Sequence, residues 1–229
     1  MGDMIQLKAA DGTHIPAYEA RPAGKPRGAM VVLQEIFGVN SHIREVADWY
    51  AAQGYLAVAP ATFHRVKPAV ELGYTEADMN EGFGYKLAVE ALPDPGVMQD
   101  IQAAIDHAHE ASGGKVGIVG YCWGGLLTWR SACLLHGLSA AVPYYGGGVT
   151  TEEEAARHPK VPVLAHFAEE DKWIPMDTVH AFAKAHPEVT LHTYAAHHGF
   201  NCDHRGAWHE PSAKLAKERT LAFLSKHIG

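Results

Sequence analysis

Short, mostly apolar runs recur along the chain at residues 29–34, 55–59, 115–119, 140–145, 161–167 and 189–194. Runs this short, with consecutive rather than alternating apolar side chains, fit strands buried on both faces, as in a parallel sheet. Amphipathic segments alternate with them. Residues 41–53 are closed by Gly54, and residues 97–111 put Val97, Ile101, Ala104, Ile105 and Ala108 on one helical face. Residues 126–135, 177–185 and 212–227 also read as helices. Ahead of these, residues 4–7 and 14–19 predict a hairpin about Asp11-Gly12. Thr150 and Thr151 with Glu153 and Glu154 predict a helix start of capping-box type. Residues 61–95 hold Pro68, Gly73, Gly82, Gly84, Pro93 and Pro95 and read as a long excursion over one end of the sheet, with a helix somewhere within 76–91. The alternation predicts an α/β fold, a mainly parallel central sheet flanked by helices on both faces. No repeat, low-complexity tract or linker divides residues 1–229, so one domain is expected.

Composition narrows the function. A chain of 229 residues with 47% hydrophobic and 20% charged residues can bury a substantial core. The formal net charge of −7 and the lack of a long basic run exclude nucleic acid and anionic membrane surfaces as partners. No apolar run approaches the ~20 residues of a membrane span, and the first ten residues lack the apolar stretch of a signal peptide. Three cysteines, Cys122, Cys133 and Cys202, cannot all pair, which predicts a reducing, cytoplasmic setting with a free thiol available. Most of the 16 histidines, among them His107, His109 and His227, fall on segments expected to be solvated.

The thiol with chemical context is Cys122. Gly120-Tyr121-Cys122-Trp123-Gly124-Gly125 joins a buried strand to a helix, the setting of a nucleophile elbow with cysteine in place of serine. The glycines permit the tight turn, and the following helix points its positive end at the sulfur, favouring thiolate. In a sheet of this kind ligands bind beyond the carboxyl ends of the strands. Asp171 follows the strand at 161–167, and His198 follows the strand at 189–194. Nucleophile, acid and histidine then stand in the chain order of α/β-hydrolases. Glu169 and Glu170 compete with Asp171 for the acid's place. His197 competes with His198, which is preferred because Gly199 lets the chain turn tightly into the site. Cys133, mid-helix, reads as core. The cluster of His192, His197, His198, Cys202, Asp203, His204 and His209 raises a metal-dependent hydrolase as a rival, although no C-x-x-C or H-E-x-x-H occurs. A second rival is a thiol-based binding or redox-sensing module without turnover.

Taken together, Gln34-Glu35-Ile36-Phe37-Gly38, the elbow hexapeptide, Asp171 and His198-Gly199-Phe200 resemble the dienelactone hydrolase (carboxymethylenebutenolidase) family over nearly the whole chain. The resemblance implies an α/β-hydrolase fold without a large cap domain and a Cys122–His198–Asp171 triad needing no metal or organic cofactor. It further implies that Glu35 lies near the thiol and helps to activate it. It makes Arg65 the match for an arginine that binds the substrate carboxylate. A second arginine is expected four residues after the histidine, where Cys202 stands instead; Arg205 follows three residues later. Backbone N–H groups of Trp123 and Ile36 are the expected oxyanion donors. One of Tyr144 and Tyr145 is expected to line the pocket while the other packs in the core. The partner expected is a small ester or lactone carrying a carboxylate, bound by a monomer or small homo-oligomer. Cysteine at the elbow points to activated esters, because a thiolate is expelled from the tetrahedral intermediate unless the other leaving group is at least as good.

Overall fold

In the computed structural model, which describes residues 2–229, the apolar runs become the middle of an eight-stranded sheet. In chain order the elements are β1 (Asp3–Lys8), β2 (His14–Ala20), β3 (Ala29–Leu33), α1 (Ser41–Ala52), β4 (Leu56–Pro60), α2 (Glu76–Glu90), α3 (Met98–Ser112), β5 (Val116–Tyr121), α4 (Trp123–Leu134), β6 (Leu138–Tyr144), α5 (Glu152–Ala155), β7 (Leu164–Ala168), α6 (Met176–Ala185), β8 (Thr190–Tyr194) and α7 (Glu210–His227). The strands lie in the order β1-β2-β4-β3-β5-β6-β7-β8. β2 runs against both its neighbours, and the strands from β4 to β8 are parallel. Every residue of β3, β4 and β5 is buried, which is what their unbroken apolar sequences require. α1 and α3 pack on β3 and β4, α4 on β5 and β6, and α7 on β6 and β7. The α/β architecture is as expected, and no described helix is long and apolar enough to cross a membrane.

Two local readings differ. α4 begins at Trp123 rather than 126, so the glycines after the cysteine lie inside the helix. The capping box expected at Thr150 or Thr151 does not form: the hydroxyl of Thr151 donates to the Gly148 carbonyl instead. A capping box does occur at the start of α2, where Thr75 and Asp78 satisfy each other's backbone N–H groups.

Parallel strands bring their carboxyl ends to one edge, and the loops leaving β3, β5, β6, β7 and β8 meet there. The excursion after β4 packs against these loops through α2. A Cβ on Gly82 of α2 would lie 2.0 Å from the carbonyl oxygen of Ile36, so only glycine lets this helix rest on the loop after β3.

Candidate active site

Cys122 follows β5 directly and caps α4 with φ 56° and ψ −118°. A non-glycine residue there costs on the order of 1–3 kcal/mol and persists only where its surroundings enforce it. Its N–H donates to the Tyr144 carbonyl at 3.1 Å, and its own carbonyl accepts from Gly125 at 2.9 Å. The start of α4 is wedged against β3, since a Cβ on Gly124 would stand 2.4 Å from the Gln34 oxygen and 2.6 Å from that of Leu33. The sulfur is thereby lifted to the helix's positive end, where N–H groups lack intrahelical partners. The N–H groups of Trp123 and Ile36 have no backbone acceptor among the described residues.

His198, on the loop after β8, meets Asp171, on the loop after β7: Nδ1 and Oδ2 are 2.7 Å apart. Oδ1 of Asp171 accepts from the Trp173 N–H at 2.8 Å, so both carboxylate oxygens are engaged and the side chain is fully buried. With Nδ1 on the carboxylate, Nε2 is the ring nitrogen left for the sulfur. Burial opposes a charge on His198, but the Cys122 sulfur and the Asp171 carboxylate outweigh it and raise the imidazole to about 10. The ambiguous neighbours separate cleanly. Glu169 accepts from Thr193, while exposed His197 pairs with Glu170.

Glu35 is 1% exposed and accepts from Nη1 of Arg205 at 2.9 Å. Arg205 lies near the rings of Phe37 and Tyr74 and feels the charges of both Glu35 and Cys122. Gly199 is needed twice: its φ is +85°, and a Cβ would stand 2.7 Å from the Arg205 guanidinium. Arg205 thus reaches the site despite its three-residue offset from the expected position. Phe200 is buried with its ring 5.3 Å from that of Tyr145, and Tyr145 sets its ring 5.2 Å from His198. Tyr144 instead packs inward and bonds Thr220 at 2.6 Å. Tyr145 is therefore the tyrosine beside the histidine.

Arg65 is a correction. Its guanidinium donates to Asp100 at 2.6, 2.8 and 3.0 Å and to Asp11 at 2.8 and 3.3 Å, leaving it no donor for a substrate carboxylate. It ties the hairpin turn to the start of α3. The histidine cluster divides: the ring of His192 stacks on His166 and His209 bonds Ser212, whereas Cys202, Asp203 and His204 gather around His42, with His204 also bonding Glu45. Cys133 is buried, and burial pushes its thiol up to about 12. A cleft of about 340 Å³ opens beside the histidine, lined by Trp173, His197, His198 and Arg205 among others.

Comparison with known proteins bears on the family and the fold. A carboxymethylenebutenolidase of Pseudomonas putida is 34% identical over 227 residues, covering 96% of this chain and 95% of its own. A solved structure from Klebsiella pneumoniae, named provisionally as a dienelactone hydrolase, has a TM-score of 0.84 at 31% identity and covers 99% of each chain. An esterase of Pyrococcus furiosus, at 13% identity, shares the fold with a TM-score of 0.72 over 100% of this chain and 93% of its own. The sequence model of the dienelactone hydrolase family matches residues 15–228, and the chain belongs to that family.

Proposed function

We propose that the protein hydrolyses activated esters, foremost enol-lactones of the dienelactone kind that carry a carboxylate, through a thioester on Cys122. The observation that carries the reading is the 2.7 Å separation of His198 Nδ1 and Asp171 Oδ2, on the sheet edge that also presents Cys122. The thiolate attacks the lactone carbonyl, and the oxyanion is received by the N–H groups of Trp123 and Ile36. The C–O bond then breaks, and the leaving enolate takes its proton from the His198 imidazolium. In the resulting thioester the sulfur carries no charge, so its contribution to the raised basicity of His198 disappears. The neutral imidazole accepts a proton from water, the water oxygen attacks the thioester, and the thiolate departs. Arg205 is the cation that meets the substrate carboxylate. As it turns to the substrate it leaves Glu35 without a counter-ion, and Glu35 accepts the proton of any Cys122 that is still a thiol, while His198 keeps its own for the leaving group.

A thiolate leaves more readily than an alkoxide but competes evenly with an enolate. Turnover should therefore fall from enol-lactone through aryl ester to alkyl ester in the wild type and vanish in Cys122→Ala. Equal rates on all three substrates, or turnover surviving in Cys122→Ala, would refute the reading. The relative named above as a carboxymethylenebutenolidase supports the lactone end of this series.

A further inference from the structure

A second cluster shares only Glu35 with the chemistry above. Glu35, His42 and Cys202 are 1%, 3% and 0% exposed. Their ligand atoms all lie within 4.8 Å of one another. Among the described residues, Glu35 Oε2 has no hydrogen-bond partner, nor does either ring nitrogen of His42. A buried polar atom left unpaired costs about 1–3 kcal/mol, and a carboxylate oxygen more. A carboxylate oxygen and an imidazole left without hydrogen bonds beside a buried thiol need a reason.

We propose that Glu35, His42 and Cys202 form a binding site for a divalent cation of the zinc class. One thiolate, one imidazole and one carboxylate are the donor types zinc takes, at about 2.3, 2.0–2.1 and 2.0–2.2 Å. Tetrahedral placement at those lengths sets ligand atoms about 3.3–3.6 Å apart, which the cluster reaches by contracting about an ångström. Asp203 Oδ1 stands 3.4 Å from His42 Nδ1, where it would orient the ring and leave Nε2 for the cation. Burial keeps His42 neutral, as a ligand must be. Burial and the Glu35 charge push the Cys202 thiol up to about 12, so the cation displaces one proton on binding. The charges balance: a divalent cation and the Arg205 guanidinium face the Glu35 and Asp203 carboxylates and the Cys202 thiolate. The cation takes no part in ester cleavage. By holding Glu35 it inhibits turnover, and this consequence, unlike the binding, rests on the role of Glu35 proposed above.

The test uses Co²⁺ as the probe, added to the full chain carrying Cys122→Ser so that the elbow thiol cannot answer for Cys202. One equivalent should bind with a thiolate-to-cobalt charge-transfer band, be displaced by Zn²⁺, and tighten about tenfold per pH unit as one proton leaves. The band should vanish in Cys202→Ser. His42→Phe keeps the ring's bulk while removing two unpaired nitrogens, so it should fold and bind at least tenfold more weakly. Absence of the band, or affinity unchanged in His42→Phe, overturns the proposal. Zinc inhibition of the wild type, as a ratio to its own zinc-free rate, is read separately. Binding without inhibition keeps the site and removes the assigned role of Glu35.

Discussion

An imidazole lodged between a thiolate and a carboxylate holds its proton well beyond the usual range of histidine. His198 is raised to about 10, and in the mechanism proposed above the imidazolium present below that pH pairs with the sulfur and serves as the acid for the leaving group. Above it the ring is neutral and both services stop. The alkaline limb of kcat/KM should therefore fall near pH 10 instead of near the ~6.5 of an unperturbed histidine. Asp171→Asn removes one of the two charges that raise the ring and disturbs its tautomer. It should lower kcat on the order of 10³–10⁴-fold and move the alkaline limb toward neutrality. A pH–rate profile of both proteins decides this; an unmoved limb counts against the assigned acid. At this scale the sequence was legible where residue type and strand end coincide, as at Cys122 and Asp171. It was not legible where a side chain chooses between two directions. On paper Arg65 is the expected match and Arg205 the displaced one, yet Arg65 is captured by Asp100 and Asp11 while Arg205 crosses to Glu35. Tyr144 and Tyr145 are separated only by the strand's alternation and its end.

Helix α2 was the element hardest to read, for a physical reason. Only Gly82 and Val89 of its 15 residues are buried, while Met79, Phe83 and Leu87 are exposed, so no apolar face marks it in the sequence. What fixes it is a capping box at Thr75 and the contact of Gly82 with the Ile36 carbonyl. Gly82→Ala should cost about 1–3 kcal/mol in stability. Because the helix then presses on the loop bearing the Ile36 N–H, kcat should drop more than KM rises. Unfolding curves combined with steady-state kinetics test both effects, and a variant with normal kcat would show that the loop accommodates the methyl group. The strands posed no such difficulty: β3, β4 and β5 have no polar face to misread.

At the scale of the whole molecule, the site is drawn from residues 35 to 205 of a chain with formal net charge −7. In the proposed reaction an anionic lactone approaches a chain of net negative charge and is received by one partly buried cation, Arg205. Added salt screens the long-range repulsion far more than the buried pairing. The kcat/KM for a carboxylate-bearing lactone should therefore rise with ionic strength up to about 0.15 M, while that for a neutral aryl ester stays flat. Arg205→Gln should raise KM for the charged substrate selectively. Parallel responses from the two substrates would remove Arg205 from its assigned part. The α/β architecture was readable because strand and helix periods alternate along the chain; the partners meeting across the sheet edge were not, because their separations follow from loops. The left-handed backbone at position 122 also bears on engineering. Glycine would sit there at ease, so selection for heat tolerance alone would drift toward Cys122→Gly and yield a sturdier but inert protein. Campaigns that improve this scaffold must screen for turnover in every round.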